Sequence, residues 1–105
     1  MLTAMLSAVE ALAPALALEL APVRVNAVTP GLIDTPLLHT AYGPERDTIV
    51  QNRAAMLPGR CVGAAEGVAQ GIRMLMINDY VPGEVVHVGG GGRFVSQCSI
   101  DTIDD

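Results

Sequence analysis

Two short valine-rich runs, each followed directly by glycine or proline-glycine, constrain the fold more than any other feature of the sequence. Residues 23–29 read VRVNAVT and residues 84–88 read EVVHV. Runs of β-branched residues bounded by turn-forming residues predict strands. Between them, residues 64–78 carry apolar side chains at helical spacing. A strand, a helical crossover and a second strand predict a right-handed parallel α/β unit, the building block of a doubly wound sheet.

The amino-terminal segment predicts a long apolar helix over residues 3–20. It is rich in Ala, Leu and Glu, and apolar residues occupy nearly its whole circumference, so it must be buried on more than one side. Pro14 lies inside it, where proline costs about 3 kcal/mol, and a kink or a break into two helices is expected. Glu10 and Glu19 interrupt the apolar run and no basic residue precedes it, which argues against a signal peptide or a membrane span.

The segment between the first strand and the second helix has mixed composition. Pro44 at a first helical turn predicts a short helix from about Glu45 to Met56 within a covering loop. The four glycines at 89–92 predict a flexible exit from the last strand, because no helix pattern succeeds them to build a phosphate loop. Residues 96–105 predict an acidic, frayed tail, which leaves residues 1–95 as one domain or part of one.

Composition excludes several classes of function. With 3% aromatic residues, a core must be built from Ala, Val, Leu, Ile and Met, as in α/β layers. The net charge is −5 and no lysine occurs, which argues against a nucleic-acid surface. Cys61 and Cys98 lie far apart and show no metal or redox spacing, so no metal site is predicted and a reducing cytoplasm is indicated.

Four segments occur in the order and spacing found in one enzyme family. They read ALALELAP, VNAVTPGLIDT, LPGRCVGAAEGVAQG and NDYVPGEVVHVGGGG, and together they extend over roughly residues 3–95. In this series the chain resembles the carboxy-terminal part of the Rossmann-fold domain of the short-chain dehydrogenases/reductases. The resemblance implies an NAD(P)-dependent oxidoreductase ancestry, with a carbonyl or an alcohol as substrate.

The resemblance also implies a cofactor-binding loop at the end of the first strand. Ligands of open parallel sheets lie beyond the carboxyl ends of the strands, and Pro30-Gly31 stands at such an end. By resemblance, the Ile33 backbone would contact the nicotinamide carboxamide of NAD or NADP, and Thr35 would bond the cofactor. Pro30, Gly31, Ile33 and Thr35 are therefore the predicted cofactor-binding residues. The alternative is an ordinary strand-to-helix turn in which Thr35 caps the helix.

Other positions in the resemblance have either a functional or a structural interpretation. Residues 36–58 correspond to the family's substrate-covering segment, so His39, Tyr42 and Arg46 either lined a pocket or belong to an exposed polar loop. In the turn and helix that follow, Glu66 favours the helix dipole, which is a structural role. Tyr80 resembles a packing residue before the last strand.

The groups that carry this family's chemistry are missing from the sequence. The family needs a glycine-rich turn after its first strand for the pyrophosphate, and a tyrosine whose pKa is lowered by a lysine four residues later. The matched positions hold Leu2 and Leu6. No catalytic residue is therefore predicted, and we expect the chain alone to be inactive and to lack a cradle for the cofactor's phosphates.

Three hypotheses follow. The first is a truncated, inactive member of the oxidoreductase family that retains the nicotinamide-side loop. The second is a non-enzymatic protein that uses the helix at residues 3–20, which lies in a subunit interface in the family, to form a homo-oligomer or to bind a full-length relative. The third is an incomplete gene product, whose missing half would be encoded upstream.

Overall fold

The computed structural model describes residues 2–95. The described residues divide into two compact units, one formed by residues 2–30 with Ala65–Val88 and the other by Gly31–Ala64 with residues 89–95. The predicted acidic tail at residues 96–105 lies outside the described residues.

The first unit contains the predicted parallel unit. Strand β1 (Ala27–Pro30) pairs in parallel with strand β2 (Val85–Val88), with Ala27 opposite Val85. The crossover helix, Ala65–Ile77, contacts both strands. This confirms the α/β fold class, and the two strands are shorter at their amino-terminal ends than the sequence predicts.

The amino-terminal helix α1 (Leu2–Glu19) is continuous through Pro14, so the predicted break into two helices is wrong. Proline removes one N–H, and the strong helix formers on both sides carry the helix across that position. Pro14 and Ala17 also approach the turn before β2. A Cβ built on Gly83 would lie 3.2 Å from the Pro14 Cα, and Gly83 has a φ of 72°. Glycine is therefore required where this helix meets the turn.

Side chains preceding β1 complete the first unit. The Asn26 amide donates to the Val81 carbonyl at 2.8 Å, and its oxygen accepts the Glu84 N–H at 2.8 Å. The Arg24 guanidinium donates to the Leu75 carbonyl at 2.5 Å, at the end of the crossover helix. These contacts replace ladder bonds and a helix cap, and they explain why the regular strand starts only at residue 27.

Much apolar surface of the first unit is exposed. Ala13 and Leu75 are its buried hydrophobic residues, at 3% and 6% exposure. The expected burial of α1 on more than one side is not found among the described residues, and Tyr80, expected to pack, is 94% exposed. Large exposed side chains of the two helices are Met5, Leu6, Val9, Leu12, Leu18, Ile72, Met74, Met76 and Ile77. None of the helices within residues 2–95 has the length and hydropathy of a bilayer span.

The second unit begins with two helices in the segment predicted to be mainly loop. Helix α2 (Pro36–Tyr42) is followed by a 3-10 turn and by helix α3 (Arg46–Met56). The predicted helix near residues 45–56 is confirmed, whereas α2 was not predicted. Its first position is a proline, and Leu38 is buried at 8% exposure, so local packing supports a helix that is too short to show a clear period.

The glycines at 89–92, where the sequence predicts a flexible exit, form a turn with defined hydrogen bonds. Gly90 and Gly91 have φ angles of 62° and 84°, and the Gly90 carbonyl accepts the Gly59 N–H at 2.9 Å. A Cβ on Gly91 would lie 2.7 Å from the Pro58 ring. Consecutive left-handed residues and the close contact with Pro58 both require glycine here.

Candidate functional site

The candidate site is built on the loop Gly31–Thr35, which follows β1 directly. At Gly31, a Cβ would lie 2.6 Å from the Cα of Gly89, the residue that follows β2. Real side chains essentially never show such a contact, so Gly31 is needed for close approach of two backbones. The sequence argument that Gly31 permits close approach is supported, and the group that approaches it is Gly89.

The N–H and C=O groups of Ile33 point away from Gly63, the residue with which Ile33 is paired. An isolated parallel bridge joins Ile33 to Gly63, in which the Asp34 N–H donates to the Gly63 carbonyl at 2.8 Å and the Gly63 N–H donates to the Leu32 carbonyl at 3.0 Å. In a parallel pairing the polar groups of successive residues point to opposite sides. The N–H and C=O of Ile33 therefore point away from Gly63, and within residues 2–95 they make no backbone hydrogen bond.

Thr35 precedes α2 with an extended backbone, at φ −132° and ψ 163°. Its hydroxyl makes no capping hydrogen bond, and the Leu38 N–H is bonded instead by the Thr35 carbonyl at 3.0 Å. The alternative in which the Thr35 side chain caps the helix is therefore wrong. The hydroxyl is available to a ligand, as the Ile33 peptide groups are.

An ion pair with Arg46 holds Asp34, the residue between Ile33 and Thr35. The Arg46 guanidinium donates to the Asp34 carboxylate, and its other terminal nitrogen donates to Asp47 at 2.7 Å. The hydrogen bond from Arg46 lowers the pKa of Asp34, and the nearby charge of His39 acts in the same direction. The same bond raises the pKa of Arg46. Both groups therefore remain charged over a wide pH range.

Of the three side chains proposed for the covering segment, Arg46 is engaged in this pair, with its side chain 16% exposed. His39 is exposed and Tyr42 is half-buried, both on α2. Sequence reasoning missed Asp34. The available signal was a single acid in the otherwise uncharged loop GLIDT.

The four predicted cofactor-binding residues are distributed as follows. Pro30 is the last residue of β1, while Gly31, Ile33 and Thr35 lie in the loop of the second unit. Leu6, where the family resemblance places the lysine by extrapolation, is 55% exposed on α1. Within the described part of the chain, no group of three or more potential metal ligands occurs.

Comparisons with known proteins agree on one family. A family model described as enoyl-(acyl carrier protein) reductase matches residues 1–92. A short-chain dehydrogenase/reductase from Stachybotrys chlorohalonatus is 40% identical over 88 residues, which cover 80% of this chain and 33% of that protein. The 3-oxoacyl-(acyl-carrier-protein) reductase of Aquifex aeolicus is 42% identical over 80 residues, covering 72% and 31%. The chain spans about a third of the length of these relatives.

Solved structures give the same result. A small-chain dehydrogenase crystallised in complex with NADPH superposes with a TM-score of 0.74 at 37% identity, covering 84% of this chain and 40% of that one. The aldohexose dehydrogenase of Thermoplasma acidophilum gives a TM-score of 0.76 at 29% identity, covering 87% and 40%. The fold of the described residues is therefore the fold of one part of these larger domains.

Proposed function

The chain belongs to the short-chain dehydrogenase/reductase family, and from this premise we propose that it forms the nicotinamide-side part of an NAD(P)-dependent oxidoreductase. When bound, NAD(P)H would supply a hydride to a carbonyl substrate, or its oxidised form would accept one from an alcohol. The observation that carries the proposal is the pair of free polar positions at Ile33 and Thr35, which follow the end of a parallel strand.

The residues of the loop fit a carboxamide. A primary amide has one acceptor oxygen and an NH₂ donor. The Ile33 N–H would donate to that oxygen, and the Ile33 carbonyl would accept from the NH₂ group. The Thr35 hydroxyl, which can donate and accept, would bond an amide or a phosphate of the same cofactor. Gly31 would contribute by keeping the loop close to Gly89.

We further propose that the 105-residue polypeptide does not transfer hydride by itself. A phenol has an ordinary pKa of about 10 and needs a neighbouring cation to act near neutrality. The chain contains no lysine, and leucine stands at both positions matched to the catalytic pair, Leu2 and Leu6. No glycine-rich turn in a strand-to-helix setting is present in the sequence to hold a pyrophosphate.

A chimera tests the proposed role directly. Residues 3–95 would replace the matching third of the Aquifex aeolicus reductase, whose own amino-terminal part then supplies the remainder of the domain. We expect the chimera to bind NADPH, and Thr35→Val to weaken that binding. Thr48→Val, on the exposed face of α3, is the matched control and should leave binding unchanged. A folded chimera that binds NADPH equally well with and without the Thr35 hydroxyl would contradict the proposal.

The inactivity of the isolated chain has its own test. Purified chain would be mixed with NADH or NADPH and a panel of ketones and aldehydes, and cofactor absorbance would be followed. We expect no oxidation above the rate of a buffer control. Sustained turnover that survives repurification would overturn this part of the proposal.

A second candidate function is association through α1, and one observation favours it. Met5, Val9 and Leu12 recur at the spacing of one helix face and are 59%, 60% and 51% exposed. Exposed apolar stripes of this kind mark protein contacts. The partner would be a second copy or a full-length relative. Light scattering after size-exclusion chromatography tests this. If the chain is monomeric at high concentration and does not bind a full-length relative, this candidate function is removed.

We also propose a cytoplasmic location. Cys61 is an exposed free thiol, and the spacing of the two cysteines predicts no disulfide. Exposed thiols persist in reducing compartments. Localisation of a tagged chain in cells is the direct test.

A further inference from the structure

We infer that Arg46 is a positioning residue, which holds the Gly31–Thr35 loop in its ligand-ready conformation through the ion pair with Asp34. The inference rests on the proposed function, because it concerns the same loop. It gives a specific role to a side chain for which the sequence predicts either a substrate pocket or an exposed loop.

Asp34 lies between Ile33 and Thr35, the two residues with free polar groups. Its backbone N–H is bonded to the Gly63 carbonyl at 2.8 Å, and its carboxylate is bonded to Arg46. Asp34 is therefore held from both its backbone and its side chain, and this fixes the peptide planes on either side of it.

The Arg46 side chain is largely buried. It is 16% exposed although it carries a charge, and its Nε is buried without a hydrogen-bond partner within the described residues. Withdrawing a guanidinium from water is unfavourable unless its charge is paired. The pair with Asp34 gives that compensation, so the helix start at Arg46 and the loop are tied to the same contact.

The two acids that Arg46 contacts differ in exposure and in their distance from it along the chain. Asp47 follows Arg46 in the chain and its side chain is 81% exposed, so this contact connects neighbouring residues only. Asp34 lies twelve positions earlier, and its side chain is 49% exposed. Of these two contacts, the one with Asp34 joins α3 to the loop.

Amide hydrogen exchange on the full chain tests the contact itself. The variants are Arg46→Gln, Asp34→Asn and the double variant, with Arg53→Gln on the same helix as the matched control. We expect the Asp34 and Leu38 amides to exchange about two- to fivefold faster in each single variant, as for a partly exposed ion pair. The double variant should be no faster than the singles.

A purely structural role would give a different pattern. If Arg46 only stabilised the fold, the Gly59 and Gly92 amides, which report on the glycine turn, would accelerate to the same degree, and this would overturn the inference. Unchanged Asp34 and Leu38 exchange in both single variants would overturn it as well. Arg46→Lys keeps the charge without the planar fork and should restore part of the protection.

Titration with nicotinamide mononucleotide connects the contact to the ligand. In the native chain we expect amide shifts at Ile33 and Thr35 that Arg46→Gln reduces and Arg53→Gln retains. Equal shifts in native chain and Arg46→Gln overturn the inference. If the native chain shows no shift while the exchange result is as expected, the proposed nicotinamide site fails and the positioning of the loop by Arg46 is supported by the exchange alone.

Discussion

The two units of the chain are stabilised in different ways. In the first, regular helices and strands leave long apolar side chains exposed, including Val9 at 60% and Met76 at 70%. In the second, short elements are fixed by backbone contacts between glycines, by the bridge at Gly63 and by an ion pair. The first unit therefore leaves much apolar surface uncovered, whereas the second is held mainly by contacts among its own residues.

The difference has a consequence for function. The family's hydride chemistry needs a lysine beside a tyrosine and a glycine-rich turn for the pyrophosphate, and the sequence supplies neither the lysine nor the turn. The candidate loop lies in the second unit, where its conformation depends on local contacts. Substitutions should therefore act strongly at the close contacts of the second unit and at buried positions of the first, and weakly on the first unit's exposed faces.

The largest effect is expected at Gly31. Replacing it with valine places side-chain atoms against the Gly89 backbone, where even a Cβ would lie at 2.6 Å, and should cost about 3 kcal/mol of unfolding free energy. Urea denaturation measures it. Gly67→Ala is the control, because nothing lies within 4 Å of a Cβ there and alanine favours the helix by about 1 kcal/mol. Equal stability of Gly31→Val and native chain would show that the loop does not need the close contact.

The sequence predicts the elements whose signal is local and repeated. The crossover helix, the parallel strands and the short helix near residues 45–56 follow from periodicity, β-branched runs and a proline at a first turn. It does not predict where Asn26 and Arg24 would bond, because those partners lie more than fifty positions away along the chain. Side-chain contacts of that separation are set by tertiary packing.

For the candidate site too, the sequence predicts only what a local motif indicates. Gly31 and Thr35 stay predictions from the loop motif, and the bridge to Gly63 explains why the Ile33 peptide groups make no backbone hydrogen bond within residues 2–95. Asp34 was missed, since an isolated acid gives no sign of its partner. The turn at the glycine run could not be predicted, because composition carries no information on φ angles, which are positive at Gly90 and Gly91.

The next largest loss of stability is expected at Leu75 on the crossover helix, with its neighbour Met76 as the comparison. Leu75→Ala should destabilise the chain by about 2 to 3 kcal/mol, because Leu75 is 6% exposed and its removal leaves a cavity. Met76→Ala should change stability by less than about 0.5 kcal/mol, because Met76 is 70% exposed. Thermal unfolding of both variants is the measurement. A large loss for Met76→Ala would mean that this face is covered in solution, which would sharpen the case for self-association.

A smaller loss is expected at Asn26. Its side chain makes two hydrogen bonds of 2.8 Å, to Val81 and from Glu84, which join the start of β1 to the turn before β2. Asn26→Ala should cost about 2 kcal/mol, since both backbone groups lose a partner. Asn52→Ala, on the exposed side of α3, is the control and should be neutral or slightly stabilising. Equal stability of the two variants would show that water replaces the Asn26 bonds.

The smallest effect concerns pH and the ion pair of the second unit. The hydrogen bond from Arg46 holds the pKa of Asp34 below its ordinary 3.8 in the folded chain. The unfolded chain therefore takes up the proton first as pH falls, so the pair's contribution is fully present above about pH 4 and is lost as the pH drops through the lowered pKa. The carboxyl carbon shift of Asp34 and the thermal midpoint would both be followed from pH 6 to pH 2.

Asp34→Asn should remove this part of the acid sensitivity, and Glu10→Gln, on α1 in the other unit, should leave it in place. The shift in midpoint will be small, because the Asp34 side chain is 49% exposed and water screens the pair. An Asp34 carboxyl that titrates at or above its ordinary value in the folded chain would contradict the pairing. It would also remove the electrostatic basis for assigning Arg46 to the loop, since an unpaired carboxylate at that position could not anchor the peptide planes of Ile33 and Thr35.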